Sequence, residues 1–283
     1  MILNLLNREA SEIGYTIHNF PDGHKHIELH PGFNKQTYID VVCRICNGDD
    51  LFLLEQVAYI INNSACICGN LYISYLLAAR ADRRFSLGEA YDLYIVGEQI
   101  FHLGFSNITL LDVHSFRLWS LDRNIELMWK YAINNFNYRN YRICFPDDGA
   151  RNRYQEQSLT EYTRKTGSIQ CTKVRELGTN KLSGFEILDL NKWKSKNSGY
   201  PILVVDDLCD GGGTFIGISE KLRKELRPSE LSLFVTHAIQ KQGIEKVSKC
   251  YDKVFITNSY KNWSEEELPE NVNVITLGQP WNI

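Results

Sequence analysis

An excess of charge of either sign is missing from this chain: 31 Lys and Arg stand against 34 Asp and Glu over 283 residues, a formal net charge of −3. Without a basic surplus, nothing points to a nucleic acid or an anionic membrane as partner. Long apolar runs are missing too. None approaches the roughly 20 residues that span a bilayer, and the N-terminus, Met1-Ile-Leu-Asn-Leu-Leu-Asn-Arg-Glu9, lacks the basic start of a signal peptide. No low-complexity segment interrupts the sequence. These absences leave a globular protein, expected in the cytoplasm and long enough for two domains or one large one. Eight cysteines are present. Cys43-x-x-Cys46 and Cys66-x-Cys68 could supply four thiolates to zinc, but they lie in apolar, strand-like segments without the glycine-rich knuckles of zinc sites. Ordinary core thiols are expected there, and no disulfide framework.

The most informative segment is Tyr200-Pro-Ile-Leu-Val-Val-Asp-Asp-Leu-Cys-Asp-Gly-Gly-Gly-Thr-Phe215. Pro201 to Val205 is a short β-branched run suited to a parallel strand covered on both faces. From Phe215 to Leu226, Phe215, Ser219, Leu222 and Leu226 share one helical face, with Lys and Glu on the other. A loop between a parallel strand and a helix is where open α/β sheets bind ligands, and the N–H groups of Gly211 to Gly213 offer an anion a cradle. No lysine follows these glycines, which excludes a Walker loop. The acids Asp206 and Asp207 precede the glycines, whereas a dinucleotide fingerprint carries its acid about 20 residues later. Paired carboxylates beside a phosphate cradle suit a ribose 5-phosphate: acids on the 2- and 3-hydroxyls or on Mg²⁺, amides and Thr214 on the 5-phosphate. The plainer alternative is an Asp-Gly-rich turn after a core strand.

Strand-like segments alternate with helical ones along the whole chain. The clearest strands are Leu71–Leu77, Asn107–Val113, Tyr141–Phe145, Ile202–Val205, Ser232–Thr236 and Lys253–Thr257; helical stretches run over Tyr91–Leu103, Asp122–Asn135, Phe215–Leu226 and Gly243–Cys250. Such alternation predicts an α/β protein of mostly parallel sheets flanked by helices. The aromatic, Asn-rich stretch Asn134–Asn140 is the best boundary, dividing the chain into halves at 1–136 and 137–283.

The run from Val204 to Thr214 resembles the phosphoribosyl-pyrophosphate (PRPP) motif of type I phosphoribosyltransferases and of ribose-phosphate diphosphokinases, the PRPP synthetases. The two-half layout resembles the synthetases, which are built from two tandem phosphoribosyltransferase-like domains. Five further segments carry the same resemblance. Phe20-Pro-Asp-Gly-His-Lys-His-Ile-Glu28 is similar to the family's Phe-Ser-Asp-Gly-Glu, which implies ATP-binding roles for Phe20, Asp22 and His24, with His24 in place of the family glutamate. Ala79-Arg-Ala-Asp-Arg-Arg-Phe85 is similar to Arg-Gln-Asp-Arg-Lys, so that Arg80, Asp82 and Arg83 would handle the triphosphate, as guanidinium suits phosphate oxygens. Leu110-Leu-Asp-Val-His114 resembles a strand ending in Asp-Leu-His, implying His114 as a Mg²⁺ or ATP-phosphate ligand. On chemistry alone His114 would be a structural histidine, because Mg²⁺ prefers oxygen. Phe145-Pro-Asp-Asp-Gly-Ala150 resembles Ser-Pro-Asp-x-Gly-Gly and implies Asp147 as a metal ligand. Lys173 and Arg175 stand where the family carries a catalytic Lys-x-Arg on a flap.

The resemblance implies an ATP-dependent diphosphokinase requiring Mg²⁺. Asp206, Asp207, Asp210, Gly211, Gly212, Gly213 and Thr214 would hold the ribose phosphate, and Lys173, Arg175 and Arg80 would serve the transfer. It also implies a homodimer or larger assembly. Asp210-Gly-Gly-Gly-Thr214 has Gly211 where the family usually has threonine, which could admit a 5-phosphate bearing a further substituent. With the chain's shortness, this resembles a phage-type branch in which some members pyrophosphorylate ADP-ribose in NAD⁺ rebuilding, so ADP-ribose is the expected acceptor ahead of ribose 5-phosphate. If phage-encoded, the protein would work in the host cytoplasm. The alternatives are a phosphoribosyltransferase that consumes PRPP, and a catalytically silent regulatory relative.

Overall fold

The computed structural model describes residues 1–32, 37–115, 122–123, 140–155, 160–175, 182–196 and 199–283, with the backbone alone at 122–123, 155, 160–161, 165, 175, 182–183, 195–196 and 265. Two compact units emerge, one of Met1–Asn124 with Leu277–Ile283, the other of Ile125–Thr276.

The first unit runs β1 (Ile2–Asn4), β2 (Tyr15–Asn19), β3 (Lys25–Leu29), β4 (Tyr38–Ile45), α1 (Gly48–Asn63), β5 (Ile67–Leu76), α2 (Asp92–Phe101), β6 (Asn107–Leu110) and β7 (Asp122–Arg123). Its sheet has the order β1-β4-β5-β6-β7 and is parallel throughout; β2 and β3 form a separate antiparallel hairpin. Ile39, Val41, Val42, Cys43 and Ile45 of β4 are all buried, the near-continuous apolar run that a strand covered on both faces requires. Helix α1 starts at Asn47, whose side chain accepts the Asp50 N–H at 3.0 Å, and it buries Leu51, Leu54, Val57, Ala58 and Ile61 along one stripe. The last residues of the chain return to this unit. Trp281, 0% exposed, packs edge-on to Tyr72, and the Asn4 side chain donates to its carbonyl at 2.8 Å.

In the second unit β8 (Arg142–Phe145), α3 (Asp148–Gln155), α4 (Thr160–Thr166), β9 (Ile169–Arg175), β10 (Leu182–Ile187) and α5 (Leu190–Lys196) are followed by β11 (Ile202–Cys209), α6 (Gly213–Leu226), β12 (Leu231–Ala238), α7 (Lys241–Ser248), β13 (Lys253–Thr257) and β14 (Val272–Ile275). The sheet order is β10-β9-β8-β11-β12-β13-β14, parallel except for the β9–β10 pair. The chain builds outward in one direction from β8 and in the other from β11. The switch in strand order therefore falls between β8 and β11, where open sheets place ligands at the carboxyl ends.

The α/β architecture follows the sequence reading, and Lys253–Thr257 is a strand over those residues. Other elements end elsewhere. Strand β11 continues four residues past Val205, so Asp206 and Asp207 lie inside the strand, held by pairing to β12 as far as Cys209 and Ala238. Strand β6 stops at Leu110, which leaves His114 in a loop. The helix expected over Asp122–Asn135 falls almost wholly outside the described residues, and its first two residues pair instead with Thr109 and Leu110 as β7. Cys43, Cys66 and Cys68 are buried in the core of the first unit. Among the described residues no helix is long and apolar enough to cross a membrane.

Candidate active site

The second unit assembles most of its candidate residues around the ends of β8, β9 and β11. Adjacent residues of a strand point to opposite faces, yet both β11 acids are tied to one cation. Arg153 of α3 directs Nη2 to Asp206 Oδ1 at 2.9 Å and to Asp207 Oδ1 at 2.6 Å. Its side chain is 6% exposed, that of Asp207 2% and that of Asp206 14%. Asp206 Oδ1 also accepts the Asp207 N–H at 2.9 Å. Burial, then the neighbouring Asp207 charge, push the Asp206 carboxyl well above its ordinary range against the pull of Arg153.

Past the acids, the loop turns at Gly212, whose φ of +80° is left-handed and favours glycine. A Cβ there would also lie 2.8 Å from Val247 Cγ1 and 3.0 Å from the Gly243 carbonyl oxygen. Gly213 and Thr214 open α6, and no side chain caps it. Its first N–H groups are thus presented outward with the positive end of the helix dipole, as an anion site requires. Gln240, just before α7, donates to Asp210 Oδ1 at 2.8 Å, and Ile239 N–H donates to the Cys209 carbonyl at 2.9 Å. At Gly243 a Cβ would overlap the Asp210 carbonyl oxygen, so only glycine lets α7 seat beneath the loop. Burial, then Asp206 and Asp210, push the Cys209 thiol up to about 12, which makes it an inert wall rather than a nucleophile.

Asp147 follows β8 and precedes α3. Its Oδ1 accepts the Ala150 N–H at 3.0 Å, a helix cap, and its Oδ2 accepts from Lys173 Nζ at 3.1 Å. Burial raises this carboxyl, but the Ala150 N–H, Lys173 and Arg153 together outweigh it and hold the acid below its ordinary range. Lys173 stands on β9. Arg175 ends that strand, and its side chain lies outside the described atoms. Next to this pair, Arg151 Nη1 donates to Gln170 Oε1 at 2.6 Å while the Gln170 amide donates to Asp148 Oδ1.

In the first unit the ends of the adjacent strands β5 and β6 carry the other candidates. Asp82 accepts from Arg83 Nε at 2.9 Å and from Ser115 Oγ at 2.8 Å, which joins the turn after β5 to the loop holding His114. Arg80 lies in the same turn. Asp112, buried and with φ +42°, bends the chain two residues before His114, a conformation disfavoured for a side-chain-bearing residue. Phe20, Asp22 and His24 form the tip of the β2–β3 hairpin. Asp22 Oδ1 accepts the His24 N–H at 3.1 Å, and the His24 ring stacks on Phe20 at 5.6 Å between centroids. Asp22 thus serves its own turn, and one face of Phe20 is already covered. Beside them His24, His26, Phe52, Gln56 and Tyr59 line a cavity of about 500 Å³.

No family model matches the chain. Ribose-phosphate pyrophosphokinase of Pyrococcus abyssi is 25% identical over 274 residues, covering 90% of this chain and 87% of that protein. The enzyme of the same name from Mycoplasmopsis pulmonis is 24% identical over 217 residues, 74% of this chain but only 64% of its own length. The crystal structure of phosphoribosylpyrophosphate synthetase from Mycobacterium smegmatis superimposes with a TM-score of 0.75 at 14% identity, over 93% of this chain and 86% of that one. In sequence the chain is similar to ribose-phosphate pyrophosphokinases. Its fold is that of the Mycobacterium smegmatis phosphoribosylpyrophosphate synthetase.

Sequence reasoning missed Arg153, Gln170, Gln240 and Gly243. Only Arg153 left a trace: it is six residues after Asp147, on the helix that Asp147 caps. As for Mg²⁺, among the described residues no three His, Cys, Asp or Glu side chains gather to hold an ion. Mg²⁺ keeps most of its water and is commonly bound by one or two carboxylates plus substrate phosphates. One ionised, partly exposed Asp147 fits that manner of binding, and the imidazole of His114 fits it less well.

Proposed function

We propose that this chain is an ATP-dependent diphosphokinase. The anomeric 1-hydroxyl of a ribose 5-phosphate unit attacks the β-phosphorus of ATP in line; the new O–P bond forms as the bridge to the α-phosphate breaks, AMP leaves with the bridging oxygen, and the hydroxyl proton is released. One observation carries this assignment: the acid pair, the uncapped N-terminus of α6 and the Asp147–Lys173 pair all meet at the switch point of one sheet. Asp206 and Asp207 accept from the ribose hydroxyls. Asp210 to Thr214 wrap the 5-phosphate. Lys173, released from Asp147 when substrate arrives, offsets charge on the transferred group, with Arg175 and Arg80 as further cations. Arg80, Asp82, Arg83 and His114 handle the triphosphate, and Phe20, Asp22 and His24 the adenine. Asp147 would hold Mg²⁺, which would supply neutralisation of phosphate charge; the resemblance assigns His114 to the metal or to an ATP phosphate. Positioning and electrostatics suffice, and no side chain need be covalently modified.

The names of the relatives favour ribose 5-phosphate as acceptor. A second acceptor, ADP-ribose, is favoured by Gly211, where a Cβ would meet nothing within 4 Å and the loop stays open beside the phosphate cradle. Incubation with Mg²⁺, ATP and each acceptor, with detection of AMP and the 1-pyrophosphate, decides between them. Turnover of ribose 5-phosphate alone would sink ADP-ribose. No AMP with either would refute the diphosphokinase and leave a silent regulatory relative; base glycosylation from PRPP without ATP would make it a phosphoribosyltransferase. The working form is a homodimer or larger, and a monomer by light scattering under assay conditions would contradict this.

A further inference from the structure

Two carboxylates adjacent in sequence and nearly out of water repel each other and lose hydration, so they persist as a pair only beside a cation. Arg153 supplies that cation, its Nη2 reaching Oδ1 of both Asp206 and Asp207. The Asp207 N–H falls on the same Asp206 Oδ1. Asp206 Oδ2 is engaged by neither Arg153 nor the Asp207 N–H, and Asp206 is the more exposed acid of the two. Arg153 also stands close to the turn that carries Asp147: a Cβ on Gly149 would lie 3.2 Å from Asp147 Oδ1 and 3.7 Å from Arg153 Nη1.

We infer that Arg153 is a positioning residue for the acceptor, clamping Oδ1 of Asp206 and Asp207 so that Asp206 presents Oδ2 to a ribose hydroxyl and the pair carries too little net charge to capture a divalent cation instead. The ligand's identity rests on the ribose-phosphate function proposed above. A neutral diol donates hydrogen bonds to a singly negative acid pair, whereas two uncompensated carboxylates are the oxygen-rich setting that Mg²⁺ takes. Arginine suits this role better than lysine, because the planar guanidinium fixes the directions of the two N–H bonds on Nη2.

The test uses Arg153→Met, Arg153→Lys and the double variant Arg153→Met/Asp207→Asn in the full chain. Binding of ribose 5-phosphate is measured by calorimetry without ATP, and KM for each substrate by AMP formation. Arg153→Met is expected to weaken ribose 5-phosphate binding and raise the acceptor KM by about tenfold to a hundredfold, the worth of a charge-assisted hydrogen bond, with the KM for ATP within about twofold. Arg153→Lys should recover part of the affinity. The double variant should recover melting temperature, since removing one acid removes the need for the cation. Acceptor binding within twofold of wild type in Arg153→Met, or equal losses for ATP and acceptor, would overturn the inference. If Arg153→Met does not fold, an acceptor KM unchanged in Arg153→Lys overturns it equally. Wild-type protein that binds ribose 5-phosphate yet forms no AMP would refute the diphosphokinase alone and leave the clamp standing.

Discussion

Replacing Gly243 by alanine sets two physical effects against each other with opposite signs. Gly243 is the third residue of α7, and glycine costs a helix interior about 1 kcal/mol relative to alanine. Propensity alone therefore predicts that Gly243→Ala stabilises the protein. Packing predicts the reverse. The new Cβ would overlap the Asp210 carbonyl oxygen, lie 2.9 Å from the Asp210 carbonyl carbon and 3.3 Å from that of Gly211. Ordinary contact begins at 3.4 Å, so the loop and α7 must part by at least half an ångström at the carbon, and by more at the oxygen. Backbone atoms on both sides leave no flexible side chain to yield, and overpacking of this kind costs about 1–3 kcal/mol. The displaced residues are those that follow the acids and, in the proposed function, wrap the 5-phosphate. A misplacement of about 1 Å can cost a hundredfold in rate, and the shift demanded at the oxygen is no smaller, so kcat/KM for the acceptor should fall by about a hundredfold while the KM for ATP stays nearly unchanged. Urea unfolding and steady-state kinetics on the purified variant read both quantities. A Gly243→Ala protein that is more stable than wild type, with an unchanged acceptor KM, would refute the claim that α7 fixes the loop. Gly211→Ala is the control: its Cβ meets nothing and its φ is not left-handed, so folding should be unaffected.

Three other outcomes follow from the same geometry. Lys173→Met should lower kcat by about a hundredfold to a thousandfold, as loss of one transition-state donor does; the Lys173–Asp147 pair is about one-third exposed on each side, so the melting temperature should barely move, and a large drop would mark Lys173 as structural. Affinity for ribose 5-phosphate should rise with pH through the elevated Asp206 value, because an ionised carboxylate accepts from hydroxyls. The sign for stability is opposite: an acid whose folded value is raised above the ordinary 3.8 favours the folded state most at low pH and loses that contribution as pH climbs through the folded value. A flat binding profile from pH 4 to 8 would contradict the elevation. Trp281→Ala should destabilise the first unit by about 3–5 kcal/mol, as loss of a fully buried indole does, and a change below about 1 kcal/mol in urea unfolding would show the tail to be dispensable.

What the sequence made legible and what it hid divide along a physical line. Period, apolar runs and turn chemistry are local, and they disclosed the parallel strands, the glycine loop and the helix after it. The acids showed themselves because two carboxylates beside three glycines are rare in ordinary turns. Residues whose role lies in what they touch far along the chain were invisible. Arg153 sits in Asn152-Arg-Tyr-Gln155, a polar stretch that reads as a solvated helix surface, yet it is more deeply enclosed than Asp206, 53 positions later. Gly243 looks like a flaw in a short helix until the Asp210 carbonyl is seen against it. Trp281 lies next to the end of a chain whose preceding strand belongs to the other unit, and no periodicity says that it returns to Tyr72. The same division bears on the acceptor. Under the proposed function the motif residues hold a ribose phosphate, but what hangs from its 5-phosphate depends on the space around Gly211, and α7, Gln240 and Gly243 seat the loop that borders it. Discrimination between ribose 5-phosphate and a larger acceptor should therefore respond to substitutions beneath the loop as strongly as to those within it.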